Sequence, residues 1–179
     1  MSRKALVVID IQNDITRHYR EIIDRINTAI DWAVGRGMEV VYIKHNNLSA
    51  GTRTFKPDTK GAELVSELKV VSDNIFVKTK ANALTSEAFT EYIQGKDIDE
   101  FYITGADATA CVKSTCFNMT KAGYNVHVIS DCVTSYDLKK IEKCSPIIQR
   151  RAVRSRPWRS TKTLLLLMKD IHDALSRRF

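Results

Sequence analysis

The 179 residues predict an α/β fold: a single-domain, three-layer α/β/α arrangement around a doubly wound, mainly parallel sheet. Three observations predict it. Short, continuous apolar runs recur, as expected of strands covered on both faces. Stretches with apolar residues at helical spacing separate them. The two kinds alternate from ALVVID near the start to NVHVIS at residues 125–130.

ALVVID, residues 5–10, is the first buried strand. Residues 17–35 form a helix by period, with Ile22, Ile26, Ala29, Ile30, Ala33 and Val34 on one face. GRG ends that helix, and MEVVYIK is the second strand. Residues 45–61, HNNLSAGTRTFKPDTKG, are a polar loop containing Pro57 and two glycines, long enough to carry function. GAELVSELK is expected as a short helix, and NIFVK as the third strand. Thr85 or Ser86 caps the next helix, which runs through Gln94 with Glu87 in its first turn and Phe89 and Ile93 facing inward. EFYIT is the fourth strand, ending at Thr104. A turn of small residues leads into a helix that starts at Cys111 and stops at Gly123, and NVHVIS is the fifth strand.

A chain of this length buries a sizeable core as one domain. No apolar run approaches the roughly 20 residues that a membrane span requires, and MSRKALVVID runs straight into a core strand without a signal-peptide pattern. Cys111, Cys116, Cys132 and Cys144 show neither CxxC pairing nor metal-type spacing. Free thiols in a reducing cytoplasm are the simplest account.

The net charge of +7 is unevenly placed. Residues 1–143 hold 19 of the 28 Lys and Arg and 19 of the 21 Asp and Glu, so that segment is neutral. Residues 144–179 hold the remaining 9 basic and 2 acidic groups, and therefore the whole excess. The chain divides at Lys143 into a neutral domain, 1–143, and a basic atypical tail, 144–179.

Three strand ends carry chemistry. ALVVID ends at Asp10, NIFVK ends at Lys78, and Cys111 follows EFYIT at a helix start. In an open parallel sheet the ligand crevice lies outside the carboxyl ends of the strands, so a carboxylate, an ammonium and a thiol meet at one edge. The helix dipole and a nearby ammonium both favour thiolate, and a carboxylate can take the thiol proton and return it to a leaving group. Each residue also has a bland reading. A lone cysteine is more often a small buried hydrophobe, the reading given to Cys116 and Cys132. A carboxylate after a strand often caps a loop, but the four apolar residues before Asp10 make an unpartnered charge there expensive. Lys80 competes with Lys78, since both lie on one face if the strand continues. Gly105 serves either a turn or a close substrate approach. Asp131 orders a loop at the same sheet edge, and Asn13 and Asp14 brace the first loop.

The segments VVIDIQND, FVKTKANALTSEAF, ITGADATACVKST and AGYNVHVISD resemble, in order and spacing, the signatures of the isochorismatase-like cysteine hydrolases. The resemblance covers residues 4 to about 143. It implies a catalytic triad of Asp10, Lys78 and Cys111, a non-proline cis peptide at Ala106–Asp107, and an oxyanion hole from the backbone N–H groups of Asp107 and Cys111. It also implies a Rossmann-like strand order with a sixth strand near the C-terminus. Ala108 stands where the family often has Thr, so a hydroxyl is missing. Nicotinamidases of this superfamily carry a D-x-H pair and a further His after the second strand. Here that region offers His45 and Asp58 at a different spacing, and His18, His127 and His172 are scattered, so no metal and no cofactor are expected. The presence of the cysteine favours thiol-using amide hydrolysis over vinyl-ether cleavage. The expected function is hydrolysis of a C–N bond in a small amide or carbamoyl compound through an acyl-enzyme. The alternative is a non-catalytic small-molecule binding or interaction protein of the same fold. The expected partners are a small-molecule substrate and, by resemblance, further copies of the chain, with no membrane.

The tail does not read as the sixth strand. CSPIIQRRAVRSRPWRSTKTLLLLMKDIHDALSRRF is Arg-rich, with Pro157 and Trp158 inside the basic run. Back-translated with suitable codons, CSPIIQRRAVRSRPWRST reads MLAYYTEKGCEVKTLEEY in a neighbouring frame. Joined to KKIEK, that makes a helix, a Lys-Gly stop and a strand, which is the missing family ending. A frameshift at the Lys143 codon is therefore expected. The arginines and Trp158 invite a nucleic-acid reading, but no recognisable motif accompanies the charge, so no specific nucleic acid is expected.

Overall fold

The computed structural model describes residues 3–16 and 19–136. The readings for 144–179, for Cys144, His18 and His172, and for Arg17 at the start of the expected 17–35 helix lie outside the described residues; Tyr19 is not helical, a 3-10 turn spans Arg20–Ile22, and the α-helix itself starts only at Ile23.

Five strands form one parallel sheet: β1 (Arg3–Ile9), β2 (Glu39–His45), β3 (Ile75–Lys78), β4 (Ile98–Ala106) and β5 (Asn125–Thr134). Their order is β3-β2-β1-β4-β5, reversing direction at the most buried strand, β1. The apolar run of β1 serves both faces. Ala5, Val7 and Ile9 pack with α3 (Glu87–Gly95) and α4 (Lys113–Lys121), through Phe89, Ile93, Cys116 and Met119. Leu6 and Val8 pack on the other face against α1 (Asn13–Thr16) and α2 (Ile23–Val34), through Ile15, Ile26, Ala29 and Ile30. The sequence-predicted three layers follow from that alternation.

Four local expectations are corrected. Val34 does not share the inward face of α2 but is 51% exposed. GAELVSELK is not a helix: one tight turn, Lys60–Ala62, is followed by extended and turn backbone. The loop after β1 captures that backbone, since Asn13 N–H donates to Glu63 O at 3.0 Å and Val65 N–H donates to Ile11 O at 3.1 Å. Groups bonded outward cannot also close a helical ladder. Gly105 is not a turn glycine. It pairs with Ile9 inside β4 at φ +114°, where an added Cβ would lie 2.1 Å from Ile9 O. The strand β5 continues past Ser130 to Thr134, and a bulge sets Ile103 opposite Val128 but Gly105 opposite Val133. Asp131 therefore lies within a strand, its carbonyl accepting from Arg25.

Candidate active site

Asp10, Lys78 and Cys111 meet at the carboxyl end of the sheet, on three separate connections. Asp10 follows the last residue of β1 and adopts φ +54°, a left-handed conformation unusual for a residue other than glycine. Its N–H donates to Ile43 O at 2.9 Å, and its side chain is 1% exposed. Lys78 is the last residue of β3, with its side chain fully buried, whereas Lys80 is exposed. Cys111 lies in a π-helical turn, Ala108–Val112, that precedes α4. It is the fourth residue of the helical segment and not its first, because Asp107 already caps the turn by accepting from Thr109 N–H.

The ammonium of Lys78 makes three contacts: 2.7 Å to Asp10 Oδ2, 2.9 Å to His45 Nδ1 and 3.4 Å to Cys111 Sγ. Its three donors are therefore all engaged. Asp10 Oδ1 is buried with no hydrogen-bond partner among the described residues.

Burial governs the proton affinities. It pushes the Asp10 carboxyl up, against the opposing pull of Lys78. It pushes the Cys111 thiol up to about 12, the Asp10 charge adds to the effect, and Lys78 opposes it. Burial thus works against the thiolate that the helix dipole and Lys78 favour. The site still supports a thiolate by another route. Moving that proton from Cys111 to Asp10 exchanges a carboxylate–ammonium pair for a thiolate–ammonium pair, with no change in net charge.

His45, at the end of β2, was not among the residues singled out for the site. Burial and the facing Lys78 depress its imidazole to about 4, so it is neutral in the ordinary pH range. Asp10, His45 and Cys111 offer ligand atoms within 4.8 Å of one another, the arrangement of a metal cage. Lys78 bonds to all three, so an ammonium already serves as their cation. A divalent ion there would face that ammonium at close range, and the donor set does not fit one.

Asp107 follows a cis peptide bond with Ala106. Its carboxylate takes no part in the triad. Oδ1 accepts from Thr109 N–H and Oγ1, each at 2.7 Å, and Oδ2 accepts from Ser135 Oγ at 2.8 Å and Tyr136 N–H at 3.3 Å. These bonds tie the turn before Cys111 to the end of β5. Asn13 and Asp14, expected to brace the first loop, instead hold the long loop after β2: Asn13 donates to Lys60 O, and Asp14 accepts from Phe55 N–H at 2.6 Å. His127 lies away from the site, stacked on Tyr102 and facing Glu100.

Among the described residues, no helix is long and apolar enough to cross a membrane. The fold recurs in solved structures. An isochorismatase-like hydrolase from Alkaliphilus metalliredigens superposes with a TM-score of 0.75 at 20% identity, over 84% of this chain and 93% of that one. The pyrazinamidase of Pyrococcus horikoshii, solved in complex with zinc, gives 0.75 at 21% identity, over 84% and 96%. N-carbamoylsarcosine amidase from Thermoplasma acidophilum gives 0.71 at 20% identity, over 82% and 93%. At such identities the likeness is one of fold. Isochorismatase family proteins 1A and 1B of Dictyostelium discoideum are 36% identical over 62 residues, which is 34% of this chain and 30% of the length of each relative. The isochorismatase domain model matches residues 4–144, which hold all five described strands, apart from Arg3, and the three residues that meet at the sheet's edge; the chain belongs to the isochorismatase-like superfamily.

Proposed function

We propose that the chain is a cysteine hydrolase that cleaves a C–N bond of a small amide or carbamoyl compound through a covalent acyl-enzyme. The observation that carries this reading is the buried Lys78 ammonium, bonded at once to Asp10 and Cys111. Substrate carbonyl binding draws the thiol proton to Asp10, and the sulfur, held by Lys78, attacks the carbonyl carbon. The backbone N–H groups of Asp107 and Cys111 hold the developing oxyanion. As the tetrahedral species collapses, the C–N bond breaks and Asp10 gives its proton to the departing nitrogen. Asp10 then takes a proton from water, which attacks the thioester, and the returning proton restores the thiol.

The two amidases among the structural neighbours support this class of reaction, and the zinc of one of them does not extend to this chain's ammonium-filled cage. A panel of primary amides, ureas and carbamoyl compounds assayed for ammonia release tests the reading. Turnover by the wild-type chain with none by Cys111→Ala is the expected result, and hydrolysis retained in that variant refutes covalent catalysis. The competing reading, a non-catalytic binding protein, draws on the raised thiol and on Ala108. Iodoacetamide labelling of Cys111 no faster than that of the buried Cys116 and Cys132 favours it.

We further infer a reducing, cytoplasmic setting, supported by the free thiols of Cys111, Cys116 and Cys132. Homo-oligomerisation is supported by the exposed Val70, Val71, Ile75 and Val77 around the edge strand β3, and light scattering tests it. The family match ends at residue 144, beside the codon where a change of reading frame is expected. Nucleotide sequencing across that codon decides the status of residues 144–179.

A further inference from the structure

We infer that His45 is a positioning residue of the triad: its Nδ1 accepts the third N–H of Lys78 and so aims that ammonium at the Cys111 sulfur. The inference rests on the cysteine-hydrolase reading above and adds a fourth side chain to it.

The geometry fixes the imidazole's proton. An ammonium offers donors only, so an imidazole nitrogen 2.9 Å from Lys78 Nζ must be the acceptor. The remaining proton then resides on Nε2. The groups facing the ring are Lys78 directly, Asp10 and Cys111 beyond it, the apolar Phe55 and the neutral Gln12. A second positive charge opposite Lys78 is disfavoured, in keeping with the depression of His45 to about 4.

The ring is built into place. Gln12 clamps the His45 backbone on both sides, its Nε2 donating to His45 O at 2.9 Å and its Oε1 accepting from His45 N–H at 2.7 Å. Gln12 is itself fully buried, and its Nε2 also reaches Ala62 O at 2.8 Å. Phe55 stacks on the ring at 5.4 Å between centroids and 24° between planes. The N–H of Phe55 is held by Asp14, so the stacking partner is anchored too. Two connections, after β1 and after β2, thus support one imidazole. A lysine without that acceptor has two unequal partners, Asp10 at 2.7 Å and Cys111 at 3.4 Å, and turns toward the carboxylate.

Iodoacetamide labelling of Cys111 reads the consequence directly. The carboxylate–thiol and carboxyl–thiolate arrangements bind the same number of protons, so the labelling rate is flat with pH near neutrality and its height reports the thiolate fraction. His45→Phe keeps a ring against Phe55 and removes the acceptor; His45→Asn returns an oxygen near the position of Nδ1. The expected plateau is about tenfold lower in His45→Phe, the effect of one pKa unit. In His45→Asn it stays within about threefold of wild type. An unchanged plateau in His45→Phe overturns the inference, as does an equal loss in His45→Asn, which would assign the effect to the ring and not to the acceptor. Nitrogen NMR of the full wild-type chain at pH 7 needs no variant: a protonated Nε2 with bare Nδ1 is expected, and a protonated Nδ1 overturns the assignment. Hydrolysis retained in Cys111→Ala sinks the cysteine-hydrolase reading instead, so the two failures are separable.

Discussion

Two lysine–aspartate pairs in this molecule share a closest N···O distance of 2.7 Å and differ in almost everything else. Lys69 reaches from the segment before β3 to Asp31 on α2, with 44% and 62% of the two side chains exposed. Lys78 reaches Asp10 with side-chain exposures of 0% and 1%. Water solvates the first pair in the folded and unfolded states alike, so the contact contributes only about 0–1 kcal/mol. The second pair has been stripped of water, a cost of several kcal/mol per ion that its mutual attraction offsets only in good geometry. A pair retained at that cost points to chemistry, because apolar residues would fill the same space more cheaply. The difference lies in what surrounds the contact and not in its length.

Removing the sulfur tests the chemical half of that contrast while leaving the buried pair in place. Cys111→Ala is expected to lower amide turnover by about four orders of magnitude or more, with melting behaviour near that of wild type, by steady-state kinetics and calorimetry. Breaking the pair tests the energetic half. Lys78→Ala leaves the Asp10 carboxylate buried and uncompensated, and urea titration should show a loss of about 3–5 kcal/mol. Lys69→Ala should lose no more than about 1 kcal/mol by the same measurement, shrinking further in molar salt. Equal losses from the two lysine variants would erase the distinction.

Titration sharpens the contrast further. His45 ordinarily titrates at 6.5 and lies at about 4 in the fold. Between those values the unfolded chain binds a proton that the folded chain refuses, so stability rises with pH across that window. Cys111 moves from 9.0 to about 12. Above pH 9 the unfolded thiol loses a proton that the folded one keeps, so stability falls as pH rises. Denaturant midpoints measured against pH should lose part of the acid-side slope in His45→Asn and part of the alkaline-side slope in Cys111→Ala.

The sheet was readable from local pattern, and the three residues at its edge from that pattern together with the resemblance of their flanking segments to a family. Apolar runs mark β1 to β5, and Asp10 and Lys78 are the first polar residues after two of them. His45 was not readable in the same way. It follows a strand too, but a lone histidine opening a polar loop resembles any other, and its partner Lys78 is 33 residues away. Gln12 carries even less signal, since its importance comes from the backbone groups the fold delivers to it. The helix expected at GAELVSELK failed for a related reason. Ala62, Val65 and Leu68 recur every third residue and are buried, as a helix would require. Their spacing also suits a chain pinned to the loop after β1, and sequence alone does not reveal that Ile11 and Asn13 compete for the same backbone groups. The raised thiol of Cys111 was hidden because a helix start is visible in sequence whereas the depth of burial around it is not.

In the proposed mechanism Asp10 and Cys111 exchange one proton beside Lys78, and the pH profile of Cys111 alkylation in wild type and Asp10→Asn reads that exchange most directly. A rate nearly constant between about pH 6 and 8 in wild type, replaced in Asp10→Asn by a rise of about tenfold per unit, is the expected result. A wild-type rate that already climbs about tenfold per unit, unchanged by Asp10→Asn, would contradict it.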